Sequence, residues 1–147
     1  MLILDSNTIS YYFRGDAHVV PRLQALQPAE IGVPAIVEYE LRYGLLRLPF
    51  EASQLRLTAL AQLLRPMQLL PFDSRCAAQA AQIRADLEAQ GTPIGPHDTL
   101  IAAMAMRYQG TLVTRNVSEF SRVKNLQWVN WHETPAPLTP LKPQLPL

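Results

Sequence analysis

Short apolar runs alternate with longer helix-like segments along this chain, and no other feature restricts its fold as strongly. Each run is too short for a buried helix but long enough for a strand. Between the runs, apolar residues recur at helical spacing, and Pro and Gly mark helix ends. The pattern therefore predicts an α/β fold with a short central parallel sheet flanked by helices on both faces. The predicted strands cover residues 2–4, 30–33, 67–72, 111–114 and 127–129.

The length of the chain fits one domain with a sizeable core, because 147 residues are too few for two. We expect this domain to span residues 1–133, since the composition changes at Thr134. Residues 134–147 contain five of the 13 prolines and no glycine. Such a composition is typical of a Pro-rich disordered tail, and we predict one here.

Composition also excludes several classes of protein. Cys76 is the only cysteine, so no internal disulfide can form, and no Cys/His spacing suits zinc. No apolar run approaches the roughly 18 residues of a membrane span. The first residues lack the basic start and long apolar stretch of a secretory signal. We expect a cytoplasmic protein without membrane association, with Cys76 as a small core residue.

Two polar residues follow predicted strands. Asp5 ends the first strand, and Asn116 comes two residues after the strand at 111–114. Functional groups collect at the carboxyl ends of parallel strands, so we expect both side chains at one edge of the sheet. Asp5 could equally serve as the N-cap of the helix that follows it.

Glu40 lies beside the apolar arc of the helix predicted over residues 34–48. At about 100° per residue, the arc contains Val37, and Glu40 flanks it. Glu38 lies at the opposite margin, where Arg42 is its i+4 partner, so an exposed ion pair is expected there. A carboxylate directed at the edge of the core needs a cation or a proton to offset its burial. Alternatively, the Glu40 side chain extends out to solvent.

Asp98 lies in the first turn of the helix predicted to begin at Pro96. Its face of that helix continues with Ile101, Ala102 and Ala105, which are apolar and mostly small, so the helix can approach the sheet closely. The helix dipole favours an ionised carboxylate at this position, and that effect alone could explain the residue. The packing instead predicts that Asp98 lies at the buried end of the helix.

Three carboxylates at one edge of a sheet repel one another unless a cation neutralises them. Oxygen ligands without Cys or paired His are typical of Mg²⁺ or Mn²⁺ sites. Such ions promote attack of water on phosphate esters. The residues therefore predict a metal-dependent hydrolytic or phosphoryl-transfer site.

Four stretches also resemble one known family. The chain is similar to PIN-domain ribonucleases, specifically the VapC-type toxins of bacterial toxin–antitoxin pairs. The stretches occur in the family's order and cover roughly residues 1–131. They read LDSNTISYYF, VPAIVEYELRYGL, LLPFDSRCAAQAAQIRADLEAQGTPIGPHDTLIAAMA and TLVTRNVSEFSRVKNLQWVNW.

The resemblance implies a set of catalytic residues. Asp5, Glu40 and Asp98 match the family's acids and would hold Mg²⁺, or Mn²⁺ in its place. Asn116 occupies the fourth position, where many relatives carry Asp. Other relatives use the acid three residues further on, which is Glu119 in this chain. The resemblance leaves open which of the two residues fills that position.

Further polar residues are assigned less directly. The resemblance implies supporting roles for Asn7 and Thr114. His97 stands where relatives often carry Asn, so we expect it at the rim of the site or in contact with substrate. His18 and His132 show no partner pattern and are expected at the surface.

The resemblance implies an endoribonuclease toxin that cleaves structured RNA, with tRNA as the expected substrate, and thereby inhibits translation. It also implies neutralisation by a cognate antitoxin, whose segment fills a groove beside the site, and assembly as a homodimer. The alternative is a non-catalytic PIN-like module that binds RNA or protein through the same face. The uncharged Asn116 keeps that alternative open.

The net charge of +1 does not argue against an RNA substrate. It arises from 13 Lys and Arg against 12 Asp and Glu, and 11 of the basic residues are Arg. Four of the acids (Asp5, Glu40, Asp98 and Glu119) are assigned to the predicted site, which leaves eight acids on the rest of the chain. The sequence therefore predicts an acidic pocket in an Arg-rich surface, and RNA binding that weakens as salt increases.

Overall fold

The computed structural model describes residues 1–133, so the predicted tail at residues 134–147 lies outside the described residues. Within residues 1–133, all strands join one parallel sheet in the order β3-β2-β1-β4-β5, which confirms the predicted α/β fold. Strand β1 is central, and its Leu2 pairs with Ile31 on one side and Thr111 on the other. The strands are β1 (Leu2–Leu4), β2 (Ile31–Pro34), β3 (Gln68–Leu70), β4 (Thr111–Val113) and β5 (Trp128–Val129).

Helices fill every connection between the strands. No helix within the described residues is both long and apolar enough to cross a membrane. A 3-10 turn at Pro28–Glu30 precedes β2. The α-helices are α1 (Ser6–Phe13), α2 (Val20–Gln24), α3 (Ala35–Leu46), α4 (Phe50–Leu64), α5 (Ser74–Ala89), α6 (Pro96–Arg107) and α7 (Val117–Phe120).

The strand order divides these helices between the two faces of the sheet. Right-handed crossovers place α1 to α4 on one face and α5 to α7 on the other. In agreement, α1 contacts α2 and α3, α3 contacts α4, and α6 contacts both α5 and α7. Helix α3 also contacts α6, so the helices that carry Glu40 and Asp98 meet.

The core confirms two predictions about packing. Ile101, Ala102 and Ala105 are buried on α6, as its small apolar face predicts. Cys76 is also fully buried, on α5. Gly91 follows α5 with a φ of 70°, a left-handed conformation that favours glycine and stops the helix where the sequence predicts.

Some predicted boundaries are wrong. Residues 18–26 have a helical sequence pattern, but helix α2 begins only at Val20, because the Asp16 carboxylate accepts hydrogen bonds from the backbone nitrogens of His18 and Val19 and forms a turn there. Pro34 ends β2 and does not begin the following helix. The strand predicted at residues 67–72 is shortened to β3, which pairs on one side only.

The expectation that His132 is a surface residue is also wrong. Its side chain is only 12% exposed, and its Nε2 lies 3.0 Å from Asp16 Oδ2. Its ring lies 4.9 Å from the Tyr11 ring and 5.1 Å from the His18 ring, measured between centroids. His18 is itself half-buried, which corrects the same expectation for that residue. The end of the described chain is thereby attached to α1.

Candidate active site

Asp5 lies directly after the central strand β1 and is 5% exposed. Its Oδ1 accepts hydrogen bonds from the backbone N of Thr8 at 2.8 Å and from the Thr8 hydroxyl at 2.6 Å. The first of these bonds caps α1, so the N-cap alternative is confirmed. Both bonds go to the same oxygen, so capping does not use Oδ2. The cap and a second role for the carboxylate are therefore compatible.

Glu40 has one oxygen buried without a partner. Its Oε1 forms no hydrogen bond within the described residues, whereas its Oε2 lies 3.3 Å from His97 Nδ1. The Glu40 side chain is 27% exposed and that of His97 is 48% exposed, which places the histidine at the rim. Glu38, two residues earlier, forms the predicted ion pair with Arg42 at 2.9 Å. A buried oxygen without a partner is costly, and a cation would compensate it.

Asp98, Asn116 and Glu119 form one hydrogen-bonded group. The Asn116 amide nitrogen Nδ2 donates to Asp98 Oδ2 at 3.1 Å and to Glu119 Oε2 at 3.0 Å. The backbone N of Gly95, just before α6, donates to Glu119 Oε1 at 3.3 Å. One neutral side chain thus holds two acids side by side.

In this group the pKa values of Asp98 and Glu119 are shifted in opposite directions. Burial raises the pKa of Asp98 to about 7, assisted by the hydrogen bond to Glu119 and by the charges of Glu119, Glu40 and Asp5. The hydrogen bond from protonated Asp98 lowers the pKa of Glu119, and the Asn116 amide acts in the same direction. The Asp98 carboxyl is therefore only partly ionised near neutral pH, chiefly because it is buried and also because other acids surround it.

Thr114 and Asn7, for which the resemblance implies supporting roles, both lie close to residues of the acidic group. Thr114 is 1% exposed, and its hydroxyl accepts a hydrogen bond from the backbone N of Asn116 at 3.0 Å. This contact fixes the turn that follows β4. Asn7 is exposed and lines a cavity of about 450 Å³ that Glu40 also lines. Both residues therefore border the acidic group without forming part of it.

The acids fit a divalent cation chemically, although they do not form a ready-made set of ligands. Within the described residues, no three His, Cys, Asp or Glu side chains stand together in a geometry that would hold one ion. Two features nevertheless favour a cation: the buried Glu40 Oε1 without a partner, and the pKa of Asp98, which burial and the neighbouring acids raise. Carboxylate and amide oxygens are ligands that Mg²⁺ and Mn²⁺ prefer.

Two residues of this region are absent from the sequence-based set. Thr8 holds the Asp5 carboxylate and also donates to the Val113 carbonyl at 3.1 Å, which ties α1 to β4. The i+3 spacing from Asp5 to Thr8 is a capping signal that could have revealed it. Gly95 contacts Glu119 across 24 positions, and no local pattern predicts that contact.

Comparison with known proteins identifies a consistent set of relatives. The family model described as "PIN domain" matches residues 2–126. Ribonuclease VapC2 from Rickettsia felis is 34% identical over 69% of this chain and 74% of that protein. Toxin FitB from Neisseria gonorrhoeae is 32% identical over 90% of this chain and all of that protein. The tRNA(fMet)-specific endonuclease VapC of Salmonella typhimurium is 28% identical over 88% and 96%.

Solved structures from the same three organisms share this fold. FitAcB from Neisseria gonorrhoeae superposes with a TM-score of 0.83 at 31% identity, covering 91% of this chain and all of that one. DNA-bound VapBC from Salmonella typhimurium gives 0.81 at 28% identity, covering 88% and 97%. VapBC2 from Rickettsia felis, bound to a promoter DNA fragment, gives 0.78 at 30% identity, covering 88% and 98%.

Proposed function

This chain belongs to the PIN-domain family, and we propose on that basis that it is a VapC-type toxin, a metal-dependent endoribonuclease that hydrolyses phosphodiester bonds in structured RNA. Relatives named as ribonucleases and as a tRNA endonuclease support the proposal. The observation that carries it is the hydrogen-bonded group of Asp98, Asn116 and Glu119 beside the buried, unpartnered oxygen of Glu40.

Asp5, Glu40 and Asp98 are the residues that would hold the ion, which we propose to be Mg²⁺, with Mn²⁺ as a substitute. A bound divalent ion would supply activation of water and shielding of the charge that develops on the phosphate. Asp98 must give up its proton for this purpose. Burial and the charges of neighbouring acids raise the pKa of Asp98, so a bound cation would favour release of that proton.

Glu119 and Asn116 have different roles at the fourth position of the site. The Glu119 carboxylate supplies the negative charge, and its lowered pKa keeps it ionised. Asn116 is a positioning residue, because its amide nitrogen donates to both Asp98 and Glu119 and restrains their orientation. The uncharged side chain at position 116 is therefore compatible with catalysis.

We propose tRNA as the substrate. The Salmonella relative, whose name specifies tRNA(fMet), aligns with 88% of this chain. An acidic site repels a phosphodiester, and the nearby arginines, together with a bound ion, would offset that repulsion. The resulting action is cleavage of tRNA, and with it inhibition of translation.

The groove between α1, α3 and α4 fits an antitoxin segment. Its cavity of about 450 Å³ is lined by the apolar side chains of Phe13, Leu41 and Leu45 and by Glu40. A segment seated there would reach a proposed metal ligand and block the site. The solved relatives named VapBC and FitAcB support a two-component assembly. We also propose a homodimer and a cytoplasmic location.

Cleavage of purified tRNA tests the function with a matched pair of variants. Glu40→Gln removes a proposed ligand, whereas Glu38→Gln removes an acid two residues away that is paired with Arg42. We expect wild type and Glu38→Gln to cleave tRNA in Mg²⁺ or Mn²⁺ and to stop in EDTA. Glu40→Gln is expected to lose at least about 100-fold in rate, since outer-shell changes alone cost 10- to 100-fold.

Two results would contradict the proposal. Equal cleavage by wild type and Glu40→Gln would exclude the assigned site. Binding of tRNA without cleavage, in every divalent metal tried, would favour the non-catalytic PIN-like module. Mapping the cleaved ends in total RNA, with and without co-expressed antitoxin, identifies the substrate directly.

A further inference from the structure

Two arginines converge on one tyrosine ring at the C-terminal end of α1. The guanidinium carbon of Arg14 lies 5.1 Å from the centroid of the Tyr11 ring, and that of Arg115 lies 5.7 Å from it. Arg115 Nη1 also donates to the Tyr11 hydroxyl at 3.3 Å. We call Tyr11, Arg14 and Arg115 the Tyr11 clamp. Cation–π contacts of this kind hold guanidinium groups in place without neutralising them.

The clamp borders the candidate active site on two sides. Arg115 stands between Thr114, at the end of β4, and Asn116, which bonds two of the site's acids. Arg14 lines the cavity of about 450 Å³ that Glu40 also lines. Each arginine of the clamp therefore neighbours a residue of the candidate site: Arg14 shares a cavity with Glu40, and Arg115 is next to Asn116 in the chain.

Other contacts fix the position of the tyrosine ring. The His132 ring packs against Tyr11 with centroids 4.9 Å apart, and Asp16 holds His132 through a contact of 3.0 Å. These residues come from α1, the turn after it and the end of the described chain. Because the ring is held in place, it restrains both arginine side chains, and this reduces the entropy that they lose when they bind a ligand.

The charge of the clamp is not used within the described chain. Both arginines are exposed, and neither forms an ion pair with a carboxylate of residues 1–133. Arg42 and Arg84, in contrast, are each paired with a glutamate one helical turn away. Two unpaired guanidinium groups beside a cluster of acids match a ligand that carries phosphates, because Arg binds phosphate oxygens in a bidentate manner.

We propose that the Tyr11 clamp binds the sugar-phosphate backbone of the RNA strand next to the scissile bond. Arg14 and Arg115 contact phosphates, and Tyr11 is a positioning residue that orients both. This inference rests on the proposed ribonuclease function and adds a binding site to it. Backbone contacts carry no base specificity, so the clamp contributes affinity and strand register and leaves sequence choice to other residues.

Binding of a fluorescein-labelled tRNA, measured by anisotropy in EDTA at several KCl concentrations, tests the clamp without cleavage. Arg14→Ala and Arg115→Ala are each expected to weaken binding about fivefold to tenfold. Each should also reduce the slope of log Kd against log salt by about one, as expected for one lost phosphate contact. Arg75→Ala, an exposed arginine on α5 across the sheet, is the matched control and should bind like wild type.

Arg115→Lys and Tyr11→Phe separate charge from geometry. The lysine variant keeps the salt slope of wild type, but a lysine cannot reproduce bidentate contact or stacking, so affinity falls about twofold to fivefold. Tyr11→Phe keeps the ring but loses the hydroxyl that accepts a hydrogen bond from Arg115. It should therefore weaken RNA binding less than Arg115→Ala does. Circular dichroism and Tm identify any variant that fails to fold.

The outcomes separate the clamp from the function on which it rests. If wild type cleaves tRNA and both alanine variants bind it with the affinity and salt slope of wild type, the clamp proposal is wrong and the ribonuclease proposal stands. If the variants keep their RNA affinity but lose binding of the purified antitoxin, the surface is a protein interface and the proposal is again overturned. If wild type neither binds nor cleaves tRNA, both proposals fail together.

Discussion

The N-termini of α5 and α6 each carry an aspartate, yet the pKa of one carboxyl group is lowered and that of the other is raised. Asp73 caps α5 and accepts a hydrogen bond from the backbone N of Cys76 at 2.9 Å, which lowers the pKa of Asp73. Asp98 lies in the first turn of α6, where burial raises the pKa of its carboxyl to about 7.

The difference between the two helix ends shows which physical effect dominates at the site. A helix N-terminus favours an ionised carboxylate by a modest amount in either place. At α6, burial and the charges of Glu119, Glu40 and Asp5 outweigh that effect. Asp73 therefore acts as the cap of α5, whereas the raised pKa of Asp98 reflects its burial among the acids that we propose as metal ligands.

The largest expected effect is on cleavage. Asp98→Asn should reduce the rate of tRNA cleavage by at least about 100-fold, because it removes a proposed metal ligand. Asp73→Asn removes the same charge from the neighbouring helix end and should cleave like wild type. Single-turnover rates in Mg²⁺ measure both. Equal losses of cleavage rate in the two variants would show that the substitutions act through folding and not through the active site.

Asn116→Ala should have the next largest effect. Without the amide that donates to Asp98 and Glu119, the two acids lose their fixed orientation. We expect the Mg²⁺ concentration required for half-maximal cleavage to rise about tenfold. Ser118→Ala is a suitable control, since its hydroxyl donates to Asn116 Oδ1 at 3.3 Å and not to either acid. An unchanged Mg²⁺ requirement in Asn116→Ala would exclude a positioning role.

In the metal-free chain, the raised pKa of Asp98 should make the free energy of unfolding depend on pH. The folded-state pKa of Asp98, about 7, exceeds its unfolded value of 3.8, so the stability it contributes is fully present below pH 3.8 and is lost as the pH rises to about 7. Relative to wild type, Asp98→Asn should therefore gain about 2 kcal/mol in free energy of unfolding between pH 4 and pH 8, after allowance for solvent screening.

Urea unfolding in EDTA measures this change, and added Mg²⁺ should reduce the advantage of Asp98→Asn at pH 8. If the two proteins keep a constant difference in stability across this range, Asp98 does not retain its proton in the folded chain.

The smallest expected effect lies at α5. Asp73→Ala removes the cap and should lower the Tm by a few degrees at pH 7. Because the folded-state pKa of Asp73 is lowered, its contribution is present above pH 3.8 and is lost as the pH falls through the folded value. The difference in Tm between wild type and Asp73→Ala should therefore shrink in acid. A difference that grows in acid would contradict the assignment.

The sequence predicts the parts of the site that local periodicity controls. Helical spacing separates Glu38, which pairs with Arg42 one turn away, from Glu40, which lies at the edge of the core. Strand ends place Asp5 and Asn116 at one edge of the sheet because β1 and β4 are parallel neighbours. The assignment of these residues to a metal site remains a prediction, which the variants above test.

Contacts between distant positions were not predictable in the same way. The bond from Asn116 to Asp98 spans 18 positions, that from Arg115 to Tyr11 spans 104, and the contact between His132 and Asp16 spans 116. No sequence repeat or regular spacing predicts contacts between residues so far apart along the chain. The expectation of a surface His132 was wrong for this reason.

The sequence alone determined the element types and the strand-ending positions of the polar residues, because these depend on interactions within one or two turns of chain. It also determined the likeness to PIN-domain ribonucleases, because the order of motifs along the chain carries that likeness. Tertiary structure decided which acids shift one another's pKa, which oxygen of Glu40 is buried without a partner, and which arginines pack on Tyr11. Those outcomes depend on how the crossovers bring α1, α3, α6 and the end of β4 together, and burial and charge act only once these elements have met.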